Sequence, residues 1–153
     1  MAQKEYDELR KKYPELPSYE AVNSEFEIYS IEKPDFLTRQ IRRKIVERMD
    51  LFLEILEQVI QPNTERFVSF YECSCFNDKE KNEVLVLFKK LMVYYRSLVV
   101  ADVIQDEKND VRVIREVFNE WPGLRKQILP YLEKVKMHWH ELKQVKEILN
   151  YLG

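Results

Sequence analysis

The chain has 153 residues, of which 45% are hydrophobic and 34% are charged, and its net charge at pH 7 is −2. This composition is typical of one globular domain with a buried core and argues against a disordered chain. The small net charge argues against a general electrostatic footprint for nucleic acid. Gly123 and Gly153 are the only glycines, so phosphate-binding loops, dinucleotide fingerprints and tightly turned β folds are not predicted.

No run of apolar residues is long enough for a transmembrane helix, and the first residues lack the apolar core of a signal peptide. Two cysteines, Cys73 and Cys75, are too few for a disulfide scaffold. We therefore expect a soluble protein in the reducing cytoplasm, with no membrane partner.

Residues 1–33 predict a short helix followed by a connecting strap. Residues 3–12 are polar and helix-prone, and a second short helical segment covers residues 18–28, with Ser18 as its N-cap. We expect this N-terminal segment to lie over a helical bundle formed by residues 34–153, as part of one domain.

The clearest helical pattern runs from about Pro34 to Gln61, with Pro34 suited to the first turn and Pro62 ending the helix. One apolar stripe and one charged stripe follow the helical period, so the first is predicted to face the core and the second to face solvent. The apolar stripe is Leu37, Ile41, Ile45, Phe52, Leu56 and Val59, and the charged stripe is Arg39, Arg43, Glu47, Asp50, Glu54 and Glu57.

A second long helix is predicted from residue 78 to Ile104, and Asn77 with Glu80 fits a capping box at its start. The aromatic-rich residues 63–76 before it are either a helix of about three turns or an irregular crossover. The inward positions of the second long helix are predicted to be Val84, Phe88, Leu91, Tyr95 and Leu98.

The last third of the sequence predicts two further helices. Asn109 or Asp110 caps the first of them, and Pro122–Gly123 bends or breaks it. The last helix runs to about Leu149, with Pro130 kinking it or ending a first segment. Inward positions are Val113, Val117, Trp121, Leu124, Ile128, Leu132, Val135, Trp139, Leu142 and Leu149. The predicted fold is therefore all-α, a single-domain bundle of four or five main helices with long antiparallel helices.

The residue types that bind metals or perform catalysis do not form a recognisable site. Cys73, Cys75, His138 and His140 could supply zinc ligands, but side chains two residues apart on a helix point in nearly opposite directions. No Glu-x-x-His pair occurs, so a di-iron bundle is not predicted either. We expect no catalytic residue, no metal, no cofactor and no small-molecule substrate.

The densest positive cluster lies between residues 39 and 48. It comprises Arg39, Arg42, Arg43, Lys44 and Arg48. Arginine side chains could hold phosphates or carboxylates through forked hydrogen bonds. Because the helical phases of the five residues scatter, a solvated helix face is the favoured interpretation, and an anion or nucleic-acid contact is the alternative.

Asp102 continues the inward face of the second long helix, seven residues after Tyr95. A carboxylate at such a position needs a partner. Antiparallel pairing of the two long helices would place it level with residues 36–40 and close to Arg39 or Arg42. Alternatively, the helix has already reached the end of the bundle and Asp102 is hydrated.

The opposite side of the same helix is also apolar. Val86, Val93 and Val100 repeat every seven residues, and Ile104 extends them. A helix that is apolar on two sides either is central in its fold or contacts something else. The N-terminal strap or the last helix could cover these residues, or they could form a homodimer or partner-helix surface.

Three functions remain open on these grounds. The favoured hypothesis is a small interaction or scaffold protein that binds protein partners or itself through exposed helix faces. The second is a nucleic-acid-associated factor that uses the Arg39–Arg48 cluster. The third is a helical-bundle enzyme or ligand carrier, which would require a cavity with converging polar groups.

Overall fold

The computed structural model describes residues 2–33 and 35–142. The fold is all-helical, because 82% of the described residues lie in helices and none of them lies in a strand, so the predicted all-α class is confirmed. The helices are α1 (Ala2–Lys12), α2 (Tyr19–Phe26), α3 (Leu37–Ile60), α4 (Phe67–Cys73), α5 (Asp78–Ile104) and α6 (Glu107–Glu141). The predicted roles of Pro34 and Leu149 lie outside the described residues.

Contacts between residues divide the chain into two compact units. The first unit comprises residues 1–50 and 92–122, and the second comprises residues 51–91 and 123–153. The three long helices α3, α5 and α6 each contribute residues to both units. Within the described residues, no helix has the combination of length and apolarity that crossing a bilayer requires.

The N-terminal segment of the first unit begins with α1 and α2, followed by a turn of 3₁₀ helix at Ile28–Ser30. Ser18 is the N-cap of α2, as predicted, because its Oγ accepts a hydrogen bond from the Ala21 amide at 3.2 Å. The fully buried Tyr6 donates its hydroxyl to the Pro17 carbonyl at 2.9 Å. This bond fixes α1 against the chain that leads into α2.

The same segment packs against the first part of α6. Trp121 is fully buried, donates its indole N–H to Glu25 at 2.9 Å, and has its ring 5.1 Å from that of Phe26. At the beginning of α6, Lys12 forms an exposed ion pair with Glu107 at 2.6 Å. The N-terminal segment is thus held at both ends of the α6 residues that belong to the first unit.

Helix α3 buries most of its predicted apolar stripe. The buried residues of that stripe are Leu37, Ile41, Ile45, Leu56 and Val59. Phe52 is an error of the sequence prediction, because it is only half-buried, whereas Met49 and Leu53 are buried. The spacing 45, 49, 53 follows the four-residue ridge along a helix face, and the prediction stepped from residue 45 to 52 instead.

Helix α5 starts with the predicted capping box. The Asn77 side chain accepts from the Glu80 amide at 2.9 Å, and Glu80 accepts from the Asn77 amide at 3.3 Å. Before this cap, residues 63–76 contain only the seven-residue α4 as regular structure. Within α5 the inward residues Val84, Leu91 and Leu98 are buried, and Phe88 and Tyr95 are half-buried. Gln105, with a φ of 56°, ends the helix.

Helix α6 corrects two sequence predictions. Its cap is Asp106, whose side chain accepts from the Asn109 amide at 2.9 Å, rather than Asn109 or Asp110. The helix continues through Pro122, Gly123 and Pro130, so the two predicted helices are one. Each proline removes only one backbone hydrogen bond, and both prolines are exposed, where their rings do not disturb the core.

The inward side of α6 agrees with the predicted pattern over its first two-thirds. The buried residues are Val113, Val117, Trp121, Leu124 and Ile128. The half-buried residues are Leu132, Val135, Trp139 and Leu142. The pattern of burial therefore weakens toward the end of the described helix.

Candidate functional site

A groove of about 440 Å³ lies between α5 and α6 in the first unit. It is lined by Met92, Val93, Arg96, Ser97, Val100 and Ile104 from α5 and by Asn109, Arg112, Val113 and Glu116 from α6. Three of the predicted interface residues lie here with large exposed fractions, 65% for Val93, 54% for Val100 and 53% for Ile104. The groove therefore presents apolar side chains to solvent.

The α5 wall has the spacing of a helix-packing seam. Residues 93, 97, 100 and 104 follow one another in steps of four, three and four, the repeat at which one helix packs against another in coiled coils. Ser97 interrupts the apolar residues, but its hydroxyl donates to the Val93 carbonyl at 2.9 Å. Because that hydroxyl is satisfied within α5, the seam requires no polar ligand at its centre.

The α6 wall carries charges that are already paired. Arg112 donates to Glu116 at 3.0 Å and to Asn109 at 2.8 Å. Val113 lies beside them with 2% exposure and completes the apolar floor. The polar groups of this wall thus satisfy one another along the helix.

Arg96 is the exception among the charged residues of the groove. Its guanidinium carbon lies 5.4 Å from the centre of the neighbouring Tyr95 ring, and it forms no ion pair with any residue the structure describes. With Arg112 and Glu116 paired, Arg96 leaves the groove with one uncompensated positive charge. The heptad spacing places Arg96 beside the seam, where coiled-coil helices form their interhelical ion pairs.

Two further exposed valines of α5 lie outside the groove. Val86 is 69% exposed and belongs to the second unit, and Val103 is 80% exposed and belongs to the first. Neither lines the groove. Three of the four predicted interface residues therefore line the groove, and the fourth, Val86, is exposed elsewhere on α5.

A second notable feature of the first unit is a buried ion pair between Arg42 and Asp110, whose side chains are 2% and 5% exposed. Arg42 Nε lies 2.7 Å from Asp110 Oδ1, although the two groups are not aligned for a hydrogen bond. Asp110 also accepts the Thr38 hydroxyl at 2.9 Å. Burial raises the pKa of Asp110, and the Thr38 hydrogen bond and the Arg42 charge oppose that rise.

The remaining guanidinium nitrogens of Arg42 contact the last turns of α5. One donates to the Leu98 carbonyl at 3.2 Å, and the other forms an ion pair with Asp102 at 3.1 Å. Of the two alternatives for Asp102, the structure thus has the contact with Arg42, yet half of the Asp102 side chain is exposed. Arg42 is enclosed by these groups, so its inclusion among the exposed anion-binding residues is corrected.

The other basic residues between 39 and 48 do not form one surface. Arg39 lies over the Phe36 ring at 4.8 Å, and Lys44 pairs with Glu47 at 3.2 Å. Arg43 and Arg48 are exposed, and Arg48 has a partner of its own. Arg39, Lys44 and Arg48 thus each have a different local contact.

Arg43 and Lys44 line a shallow pocket of about 330 Å³. Glu32 and Glu47 line the same pocket. Lys33 lines it too, so two carboxylates stand beside three cations and offset part of their attraction for an external anion.

The cysteines in the second unit are both free thiols. Cys73 is buried and donates to the Val59 carbonyl at 3.3 Å, and Cys75 donates to the Glu72 carbonyl at 3.1 Å. Burial raises the pKa of the Cys75 thiol. Over residues 2–33 and 35–142, no group of three or more His, Cys, Asp or Glu side chains is placed to hold a metal ion.

His138 stacks on Tyr71 with ring centres 4.2 Å apart, and its Nε2 lies 3.2 Å from the Ser74 hydroxyl. Sequence reasoning did not anticipate this contact, which resembles the pairing of a nucleophile with a base. Ser74, however, donates its single proton to the Tyr71 carbonyl at 2.5 Å. His138 must therefore donate to Ser74, the opposite of the direction that would activate a serine.

The groove between α5 and α6 thus combines exposed apolar side chains with a cation, Arg96, that has no ion-pair partner among the described residues. Sequence reasoning found its valines, but it considered Arg96 only as an extension of the basic cluster and did not find the α6 wall. Arg96 had a signal in the sequence, because it lies beside the valine repeat. Comparisons with protein-family models, with curated proteins and with solved structures give no significant match to this chain.

Proposed function

We propose that this protein is an interaction module that binds an α-helix of a partner protein in the groove between α5 and α6. The observation that carries the proposal is the exposed seam of Val93, Val100 and Ile104, which combines helix-packing spacing with an apolar groove. Exposed apolar patches with polar rims are typical of surfaces that bind other molecules. An amphipathic helix in an apolar groove is one of the common modes of peptide recognition.

The length of the groove suits a helical ligand. Val93 and Ile104 are eleven residues apart on α5, which corresponds to about 16 Å along a helix axis. A partner helix with three or four apolar residues on one face would cover this distance. We propose no catalytic activity for the groove. A cytoplasmic location fits with the two free thiols.

The test compares partner capture by three forms of the full-length tagged protein, each in lysate with and without nuclease. They are the wild type, the double variant Val93→Glu/Val100→Glu, and the matched control Val103→Glu. Val103 is an exposed valine of the same helix that does not line the groove. A carboxylate in an apolar interface should weaken binding by roughly 30-fold or more.

The proposal predicts a protein that the wild type and Val103→Glu retain and that the double variant loses. Equal capture by all three forms would contradict it. Loss of every captured partner on nuclease treatment would instead favour nucleic-acid association.

A further inference from the structure

We propose that the helix bound in the groove is acidic, with an Asp or Glu beside its apolar stripe that pairs with Arg96. This inference rests on the proposed function, and it names the chemistry of the partner. Arg96 is the one cation of the groove without a carboxylate partner among the described residues. Its position beside the seam at residues 93, 97, 100 and 104 is where a docked helix would present a flanking side chain.

Among the described residues of the α6 wall of the groove, no cation lacks a partner. Arg112 is engaged by Glu116 and Asn109. A carboxylate on the partner would have to displace Glu116 to reach Arg112. Arg96 could pair with a carboxylate of the partner without breaking any existing ion pair. The preference of the groove for an acidic or a basic helix therefore depends on Arg96.

A second copy of the chain fits the groove less well. From Met92 to Ile104, the only carboxylate of α5 is Asp102, which is already paired with Arg42 at 3.1 Å. A copy of α5 laid against the seam would therefore bring no free acid to Arg96. The unpaired cation favours a different chain with an acidic flank over self-association.

The experiment uses synthetic helical peptides and the full-length protein. The acidic probe is a peptide of roughly 18 residues, about five helical turns, with Leu at the seam positions and Glu on both flanks. The matched probe has Lys in place of every Glu. A third peptide keeps the Glu residues and replaces each Leu with Ser. Fluorescence anisotropy measures the Kd of each peptide.

The variants separate the charge from the apolar seam. Arg96→Glu reverses the charge beside the groove, and Val100→Glu places a charge within the seam. Lys126→Glu is the control for net charge, because Lys126 is exposed and lies outside the groove.

For the wild type we expect the acidic peptide to bind about 5-fold more tightly than the basic one, the effect of a partly exposed ion pair. Arg96→Glu should reverse this preference, and Lys126→Glu should preserve it. High salt should reduce it. Val100→Glu should abolish binding of both charged peptides, and the Ser peptide should not bind any form.

Two results distinguish the failure of this inference from the failure of the proposed function. If acidic and basic peptides bind equally, Arg96→Glu changes neither, and Val100→Glu abolishes both, the groove binds helices without the charge preference. If no peptide binds, or if Val100→Glu binds like the wild type, the proposed function fails as well. Sedimentation equilibrium adds a third outcome, since a dimer disrupted by Val100→Glu would identify a second copy as the occupant and overturn the acidic partner.

Discussion

The ion pair at Arg42 and the exposed valines of α5 depart from the usual distribution of residues in opposite directions. Charged side chains are seldom fully buried, yet Arg42 and Asp110 are 2% and 5% exposed. Valines are usually buried, yet Val93 and Val100 are 65% and 54% exposed. Both regions lie in the first unit, and both involve α5 and α6.

The two regions differ in whether other residues of the chain satisfy them: the buried charges have partners, and the exposed valines have no cover among the described residues. Thr38, Asp102 and the Leu98 carbonyl surround the buried charges with partners. No described residue covers the valines to a comparable degree. Buried charges depend on partners within the fold, because removing one partner leaves the other charge uncompensated, whereas an uncovered apolar groove points to something outside the molecule. We therefore infer a structural role for the Arg42 ion pair, and the binding role of the groove is the proposal that the experiments below test.

The largest expected effect is that of Asp110→Ala on stability. It leaves the Arg42 charge buried with only the half-exposed Asp102 as a counter-ion, and we expect a loss of about 4 kcal/mol in the free energy of unfolding. Urea titration followed by circular dichroism measures it. In the double variant Arg42→Met/Asp110→Ala the loss should be well below the sum of the single losses. A change under about 0.5 kcal/mol for Asp110→Ala would show that the pair is not buried in solution.

The two sides of α5 should respond differently to the same kind of truncation. Leu98→Ala removes a fully buried side chain and should cost about 3 kcal/mol. Val100→Ala removes an exposed one and should change stability by less than about 0.5 kcal/mol. Thermal or urea unfolding of both variants checks this. If Val100→Ala costs as much as Leu98→Ala, the valine is part of a core and the groove is covered.

The smallest effect is expected for the second acid that contacts Arg42. Asp102→Asn removes a charge from a half-exposed side chain while retaining an acceptor. We expect a loss of about 0.5 kcal/mol, and less at high salt. A loss equal to that of Asp110→Ala would mean that both acids are equally sequestered from water.

Features set by local spacing were predictable from the sequence. The Asn77–Glu80 capping box and the Ser18 cap depend on residues within one turn of each other. The contact of Asp102 with Arg42 was one of two alternatives that the sequence left open, beside a hydrated Asp102, and the structure has the contact with half of the Asp102 side chain exposed. The seven-residue repeat of Val93 and Val100 predicted a second apolar side of α5, but it did not decide whether the strap or the last helix covers it, and the structure leaves both valines exposed.

Features that depend on more distant residues were not predictable. Pro122–Gly123 predicts a bend or a break from local sequence alone, yet α6 remains one helix. The burial of Arg42 required knowing that Asp110 would face it, since the sequence shows only one basic residue among several. The α6 wall of the groove could not be found either, because the pattern of α5 does not say which helix packs beside it.

The most direct test of the central claim is methyl NMR of the full-length protein labelled at Val and Ile, titrated with the acidic helical peptide. The account predicts the largest shift changes at Val93, Val100 and Ile104, with smaller changes at Val103 and Val86. Changes concentrated at Val86, or at residues of the second unit such as Val135, would contradict the assignment of the groove between α5 and α6 as the binding site.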